Sequence, residues 1–194
     1  DFAEVAVRSR RNAKTNDYAQ LKGDYDIDRI LEEPYLASPL RKHDCPPISD
    51  GAAAMIIATE DVARRVCERP AWIRGFDHRI DAHSLGARDL TRSVSTSLAA
   101  EKAGLHRDKI DVAEVYAPFA HQELILRRAM GLEKSCNVNP SGGALASHPI
   151  MSAGLIRVGE VATRILEGTA DRGAAHATSG PCLQQNLVTV LEGE

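Results

Sequence analysis

The sequence predicts an α/β fold in which helices cover both faces of a sheet. Short apolar runs typical of strands alternate with longer stretches of helical periodicity, which is the pattern of a layered sheet with helices outside. Glycine follows three of the helical stretches, at the position where a left-handed residue ends a helix. Hydrophobic residues make up 43% of the 194 residues, so the composition allows a packed core in a chain the size of one ordinary domain.

The second part of the chain carries this alternation. From residue 71 we predict a strand, a helix, a strand, a helix, a glycine-rich loop, a helix and two strands, in that order. The predicted strands cover residues 71–76, 110–116, 174–178 and 187–191, and the predicted helices cover residues 91–103, 122–130 and 150–166. Gly104, Gly131 and Gly168 end the three helices.

The first seventy residues are less regular. Residues 2–20 have the spacing of an amphipathic helix. Residues 21–47 are rich in turn signals, and a loop of this length predicts either a segment that covers a functional site or one that contains short elements of its own. The continuous apolar run Ala52–Ala58 indicates a strand buried on both faces, and a helix over residues 61–67 follows it. Helical periodicity is already present at Phe2 without an initiator Met, so we expect a chain that is entered in mid-fold.

Composition narrows the possible classes of protein. The net charge is −3, which does not suggest the basic surface of a nucleic-acid-binding protein, and we find no apolar run long enough to span a bilayer. Four scattered cysteines without a CxxC pair indicate reduced thiols, and therefore a cytoplasmic location. His43, Asp44 and Cys45 are consecutive, and consecutive side chains rarely point at one ion, so we predict no metal site.

The glycine-rich loop is the strongest local indication of a functional site. It covers residues 137–149, contains Ser141, Gly142 and Gly143, and ends with His148 before a proline. Glycine lets backbone approach a ligand closely, and imidazole has a pKa near neutral pH, so the loop suits a base or an oxyanion donor. The same residues also suit a tight turn and a helix start, and the loop alone leaves both interpretations open.

Four motifs resemble those of thiolases, and most closely the sterol-carrier and lipid-transfer branch of that superfamily. Residues 44–54 read DCPPISDGAAA and resemble D-C-x-P-x-S-D-G-A-A-A, while residues 114–119 (EVYAPF) stand in the place of an N-E-A-F or H-D-C-F motif. Residues 139–149 resemble N-x-x-G-G followed by G-H-P, and residues 183–186 (LQQN) resemble L-Q-H-N. Because the four motifs come in the family's order, the chain is identified as similar to the C-terminal part of a thiolase.

This resemblance implies a thiolase-like layered α/β/α fold made of two similar halves, each with a five-stranded sheet. Residues 1–69 would be the end of the N-terminal half, with the region that covers coenzyme A, and residues 70–194 would be the C-terminal domain. The family's nucleophilic cysteine lies in the first half. None of the four cysteines of this chain stands in its sequence context.

The resemblance implies catalytic roles for His148, Tyr116 and Cys182. His148 would activate the nucleophile and carry its proton. Tyr116 departs from the Asn or His of the family; its hydroxyl can donate a hydrogen bond and act as an acid or a base. Cys182 falls in the segment of the family's C-x-G motif, but Gln184 replaces the glycine, so a buried structural thiol is an equal alternative.

The resemblance also implies a binding set for coenzyme A, which would be part of the substrate rather than a covalently bound cofactor. Ser141, Gly142 and Gly143 would line the pantetheine passage, with a tight turn as the alternative. Ser147 replaces the glycine before the His-Pro pair and would narrow the pocket. Phe119 completes the set, although a core position suits it better.

Three functions follow from the resemblance and its departures. The first is acyl transfer on a 3-oxoacyl-CoA, which needs a cysteine nucleophile. The second is a retro-aldol lyase that cleaves a β-hydroxy acyl-CoA, such as a degraded steroid side chain, and works with a small OB-fold partner. The third is a non-catalytic lipid-binding subunit. By the same resemblance we expect a homodimer.

Overall fold

The computed structural model describes residues 1–132 and 136–194 and has the predicted α/β fold. Within these residues five strands form one mixed sheet, and two short strands pair separately. The strands are β1 (Tyr35–Ala37), β2 (Leu40–Arg41), β3 (Trp72–Ile80), β4 (Val112–Val115), β5 (Asn137–Val138), β6 (Arg172–Ser179) and β7 (Gln185–Glu192). The helices are α1 (Phe2–Asn12), α2 (Ile27–Glu32), α3 (Glu60–Val66), α4 (Val94–Lys102), α5 (Ala120–Ala129), α6 (Gly143–Ala146) and α7 (Ala153–Leu166).

The large sheet has the strand order β3-β7-β6-β4-β5. Its first three strands are antiparallel, whereas β6, β4 and β5 run parallel to one another. The carboxyl ends of β4 and β6 therefore meet at one edge of the sheet. In open α/β sheets this edge is where ligands bind, so the topology directs attention to the residues that follow β4 and end β6.

Helices cover both faces of the sheet and make three layers. On one face α4 and α5 pack against Ala113 and Val115 of β4. On the other face α7 packs against Val112 of the same strand. The buried residues of α7 are four apart, as a helix that turns one stripe toward a sheet requires; they are Ala153, Arg157, Val161 and Ile165. The predicted α/β/α layering is confirmed.

One predicted strand is wrong. The run Ala52–Ala58 forms no strand, and Ile56 and Ile57 are exposed by 96% and 74%. A strand needs a neighbour to hydrogen-bond with, and no strand of the described residues pairs with this run. Apolar composition alone therefore did not make a strand.

Three predicted helices are shorter than expected, and one of them, predicted over residues 91–103, covers Val94–Lys102. The N-terminal helix ends at Asn12 and continues as one 3-10 turn, Ala13–Thr15, which stops where Asn16 has an extended backbone and its side-chain oxygen accepts the N–H of Tyr18. The long helix after the glycine loop begins at Ala153 instead of residue 150, since residues after Pro149 form a turn first. Residues 21–47 contain short elements of their own, α2, β1 and β2, as one of the two interpretations predicted, whereas α6 and the two-residue strand β5 were not predicted.

The N-terminal helix packs on the C-terminal part of the chain. α1 contacts α5 and α6, and Val5 shares an apolar cluster with Ala120 and Leu145. The side chain of Arg10, which is buried, donates a hydrogen bond to the carbonyl of Leu145. The proposed division of the chain at residues 69 and 70 stays a prediction. Among the described residues, no helix combines the length and apolarity that a membrane span requires.

Gly142 is required by both its backbone and its surroundings. Its φ angle is +93°, and a Cβ atom placed on it would lie 2.6 Å from the Cβ of Ala13 and 2.7 Å from that of Ala146. Both neighbours are fully buried, so neither can move away easily. The contact therefore fixes how closely the end of α1 approaches the loop.

We expect Gly142→Ala to lower the free energy of unfolding by about 3 kcal/mol, because it combines a left-handed alanine with overpacking. The matched control is Gly159→Ala in α7, where a Cβ would meet no atom within 4 Å. That variant should be neutral or more stable by roughly 0.5–1 kcal/mol, since alanine favours a helix. Urea denaturation measures both, and equal stabilities would contradict this account of Gly142.

His176 lies in the middle of the core, on β6. Its Nε2 is 3.0 Å from Oδ1 of Asn186, whose amide nitrogen donates to Ser95 Oγ and to the carbonyl of Leu183. Burial lowers the pKa of His176 from 6.5 to about 4, although the hydrogen bond to Asn186 opposes this change. The folded protein therefore holds His176 as a neutral imidazole.

This burial predicts a loss of stability in mild acid. The stabilising contribution of neutral His176 is complete above pH 6.5 and is lost as the pH falls toward about 4, because the unfolded chain takes up a proton first. The free energy of unfolding lost over this pH range because of His176 is about 3 kcal/mol. Denaturation at several pH values should therefore show a weaker acid dependence for His176→Asn than for the wild type. The exposed His78 is the control, and a His78→Asn variant with the same weakening would contradict the assignment.

Candidate active site

The structure joins two residues that the sequence placed 32 positions apart. Tyr116 directly follows β4, and its backbone N–H donates to the carbonyl of His176 on the neighbouring strand. Its hydroxyl lies 2.6 Å from Nε2 of His148, and both side chains are buried. The two rings stack with centroids 5.5 Å apart. Tyr116 and His148 thus form one hydrogen-bonded acid–base pair.

The protonation of this pair follows from its surroundings. Burial lowers the pKa of His148, and the positive charge of Arg157 lowers it further. Burial raises the pKa of Tyr116, while Arg157 opposes that rise. At neutral pH the proton between the two groups is therefore bonded to the Tyr116 oxygen, and the hydroxyl donates a hydrogen bond to a neutral imidazole nitrogen.

Backbone contacts hold His148 from the other side. Its N–H donates to Oγ of Ser49 at 3.1 Å, and that hydroxyl donates to Oε1 of Gln20. A Cβ on Gly51 would lie 2.8 Å from Cβ of Pro149, so the two segments are in close contact there. The segment that contains Ser49 and Gly51 thus holds His148 and Pro149 in place.

A cavity of about 430 Å³ opens beside Tyr116, at the carboxyl ends of β4 and β6. Residues that bound it include Tyr116, Gln122, Met151, Gly154, Ser179 and Leu183. His148 is not among the described residues that bound it, and neither is Cys182. A molecule in this cavity would meet Tyr116, and His148 would lie behind the tyrosine.

A buried ion pair lies directly beside the acid–base pair. Nη1 of Arg157 is 2.7 Å from Oε2 of Glu114 and 2.9 Å from Oγ of Ser141. Glu114 also accepts the N–H of Ser141 at 2.9 Å and its hydroxyl at 2.7 Å. Burial raises the pKa of Glu114, and the charge of Arg157 and the Ser141 donors oppose that rise.

Cys182 lies apart from the acid–base pair. It is exposed in the turn between β6 and β7, where its φ angle is +52° and its carbonyl accepts a hydrogen bond from Arg88. The alternative of a buried structural thiol is therefore wrong. Its neighbour Leu183 points inward and bounds the cavity.

The residues predicted to bind coenzyme A are buried or partly buried in the structure. Ser141, Gly142 and Gly143 are buried, and the carbonyl of Gly142 accepts a hydrogen bond from Ser9. Ser147 and Phe119 are partly buried. Their role in binding coenzyme A stays a prediction. The tight-turn alternative accounts for the conformations of the two glycines, whose φ angles are +93° and +64°.

Sequence reasoning missed Ser49, Glu114 and Arg157 as parts of the site. Two of them left a signal, because each is a charge inside an apolar pattern. Glu114 interrupts the run of β4, and Arg157 stands on the apolar stripe of α7. Charges at such positions are rarely buried without a partner, so the two could have been paired with each other. Ser49 left no such signal.

A family profile for the C-terminal domain of thiolase matches residues 81–189. The chain belongs to the thiolase family. The matched range includes Tyr116, His148 and Cys182, so the three candidate catalytic residues fall within the family's own domain.

Several proteins of known identity are similar to this thiolase chain. An acetyl-CoA acetyltransferase of Methanothermobacter thermautotrophicus is 30% identical over 92% of this chain and 55% of its own length. The benzoylsuccinyl-CoA thiolase subunit BbsB of Thauera aromatica is 25% identical over 96% of this chain and 56% of its own length. Sterol carrier protein 2 of Gallus gallus is 29% identical over 96% of this chain and 39% of its own length. The chain therefore spans about half the length, or less, of these relatives.

Solved structures agree on the fold. A structure described as "Ltp2-ChsH2(DUF35) aldolase" superposes with a TM-score of 0.81 at 21% identity, over 97% of this chain and 57% of that one. Human mitochondrial 3-ketoacyl-CoA thiolase superposes with a TM-score of 0.76 at 20% identity, over 100% of this chain and 55% of that one. The thiolase fold and the family resemblance read from the motifs are confirmed. The homodimer, the OB-fold partner and the cytoplasmic location stay predictions.

Proposed function

We propose that the full-length protein is an acyl-CoA enzyme that cleaves the carbon–carbon bond of a β-hydroxy acyl thioester in a retro-aldol reaction. The observation that carries this proposal is the 2.6 Å hydrogen bond between the Tyr116 hydroxyl and His148 Nε2. Tyr116 bounds the cavity and His148 lies behind it, so the tyrosine is the group that meets the substrate. This is the arrangement of an acid–base relay.

The chemistry needs only this relay to begin. The substrate's β-hydroxyl gives its proton to the Tyr116 oxygen as Tyr116 gives its own proton to His148. The bond between the α and β carbons then breaks, the β carbon becomes a carbonyl, and the electron pair remains as a thioester enolate. Return of the proton from His148 through Tyr116 to the α carbon restores the pair and releases the shorter acyl thioester.

The hydrogen-bond partner of His148 supports a lyase over acyl transfer. Acyl transfer needs a cysteine nucleophile beside the histidine base. Here Nε2 of His148 is engaged by a hydroxyl, and the Cys182 thiol is exposed outside the cavity. A lyase of this kind has no need of a thiol.

Acyl transfer on a 3-oxoacyl-CoA is the second candidate. Relatives at 30% and 25% identity are named acetyl-CoA acetyltransferase and benzoylsuccinyl-CoA thiolase subunit, and the first of these names is an acyl-transfer activity. In this case the nucleophile would come from a part of the protein that this chain does not contain, and His148 would be its base. An acyl group found on a cysteine after incubation with a 3-oxoacyl-CoA would favour this candidate.

The central test removes one hydroxyl. We expect Tyr116→Phe in the full-length protein to lower kcat/KM for cleavage of a β-hydroxy acyl-CoA by roughly 100-fold or more, because the proton relay is interrupted. The ketone or aldehyde product and the shorter acyl-CoA are measured by mass spectrometry. His148→Asn should cause a loss of similar size.

The matched control is Tyr18→Phe, which removes a hydroxyl from a tyrosine that is 91% exposed. It should leave the rate unchanged. Undiminished cleavage by Tyr116→Phe would overturn the lyase proposal. Cleavage that requires free coenzyme A would instead support the second candidate, acyl transfer.

The pH profile gives an independent check. The relay needs a neutral His148, whose pKa lies below the ordinary 6.5, so kcat/KM should persist at pH 6.5 and fall only at lower pH. The pKa of Tyr116 lies above the ordinary 10, so no loss from its ionisation is expected below that pH. An acid limb centred above pH 6.5 would contradict the assignment of His148 as the base.

A further inference from the structure

Glu114 lies on the same face of the sheet as Tyr116, and Arg157 lies on the face of α7 that packs against this tyrosine. Glu114 and Tyr116 are two residues apart at the end of β4, so both side chains point to the α7 side of the sheet. On α7, Ala153 packs in a cluster with Tyr116, and Arg157 is one turn further along. The guanidinium is therefore one residue layer below the tyrosine ring.

This ion pair is deeply buried. The side chains of Arg157 and Glu114 are exposed by 4% and 0%. Each oxygen of Glu114 faces a donor, because Ser141 donates from both its N–H and its hydroxyl, and Arg157 donates to the second oxygen. Donors at both oxygens favour the ionised carboxylate, with Arg157 as its counter-ion, whereas burial raises the pKa of Glu114.

A buried ion pair is costly to make, since desolvation of two charges offsets most of their attraction. Apolar residues of similar volume would hold α7 on β4 at least as well. A role besides packing is therefore indicated. The same serine that binds Glu114 also belongs to the loop that carries His148, so the pair ties the strand of Tyr116 to the loop of His148.

The charge of Arg157 reaches both members of the relay. It lowers the pKa of His148 and opposes the rise in the pKa of Tyr116. Glu114 lies next to the guanidinium and attenuates this field, and Glu160 of α7 is the further charge that acts on Glu114. The first effect keeps the imidazole neutral, and the second limits the loss of acidity that burial imposes on the Tyr116 hydroxyl.

We propose that Arg157, held on Glu114, is a positioning residue that keeps His148 as the neutral acceptor of the Tyr116 proton. Its consequence for catalysis rests on the proposed function, whereas its effect on His148 does not. The two can therefore be tested separately.

The direct experiment titrates His148 in the full-length protein by NMR with histidine-selective carbon-13 labelling, and a His148→Asn variant assigns the signal. We expect Arg157→Gln to raise the pKa of His148 by about one pH unit, because a nearby positive charge is removed. We expect Glu114→Gln to lower it, because Arg157 then lacks its counter-ion. Arg157→Lys keeps the charge and should restore a value near that of the wild type.

The double variant Glu114→Gln with Arg157→Gln removes both charges and guards against misfolding of either single variant. The pKa of His148 in the double variant should lie between its values in the two single variants. Arg92→Gln is the control, since Arg92 is exposed and pairs with Asp89, and it should leave the pKa of His148 unchanged.

A role in packing alone would lower stability in both single variants without moving the titration of His148 in opposite directions. An unchanged titration in Arg157→Gln, with the fold intact by circular dichroism, overturns the proposal. The acid limb of kcat/KM should move with the titration of His148. If His148 titrates as expected but no acyl-CoA is cleaved, the lyase proposal fails and the role of Arg157 in setting the state of His148 stands.

Discussion

The buried carboxylate of Glu114 is the point at which three parts of this protein meet. It belongs to β4, it binds the guanidinium of Arg157 on α7, and it accepts two hydrogen bonds from Ser141 in the glycine-rich loop. An unpaired charge at this depth would be strongly unfavourable, so the strand, the helix and the loop must come together in one register. The relative position of Tyr116 and His148 depends on that register.

The same constraint explains the chemical character of the site. Tyr116 and His148 come from separate parts of the chain, yet their functional atoms lie 2.6 Å apart and both side chains are buried. Burial holds the imidazole neutral and the phenol protonated, and the charge of Arg157 lowers the pKa of His148 further while it opposes the rise in the pKa of Tyr116. The site therefore has the properties of a relay before any substrate binds.

The motifs of the sequence located the site better than they described its parts. The resemblance singled out His148 and Tyr116, and the structure brings the two together. It also placed Cys182 among the catalytic residues, and that role stays a prediction; the thiol is exposed in a turn in which the next side chain, Leu183, is buried and bounds the cavity. A motif gives the order of residues, whereas the turn decides which side chain faces the cavity.

The sequence by itself determined the α/β layering, the thiolase family and the approximate bounds of the elements after residue 71, because these depend on local periodicity and on short motifs. Tertiary structure decided that Ala52–Ala58 has no strand partner within the described residues, and a strand exists only with a hydrogen-bonded neighbour. It also decided that Glu114, Arg157 and Ser141 would meet. These residues are far apart in the chain, and only the packing of α7 on β4 makes their charges and hydrogen bonds depend on one another.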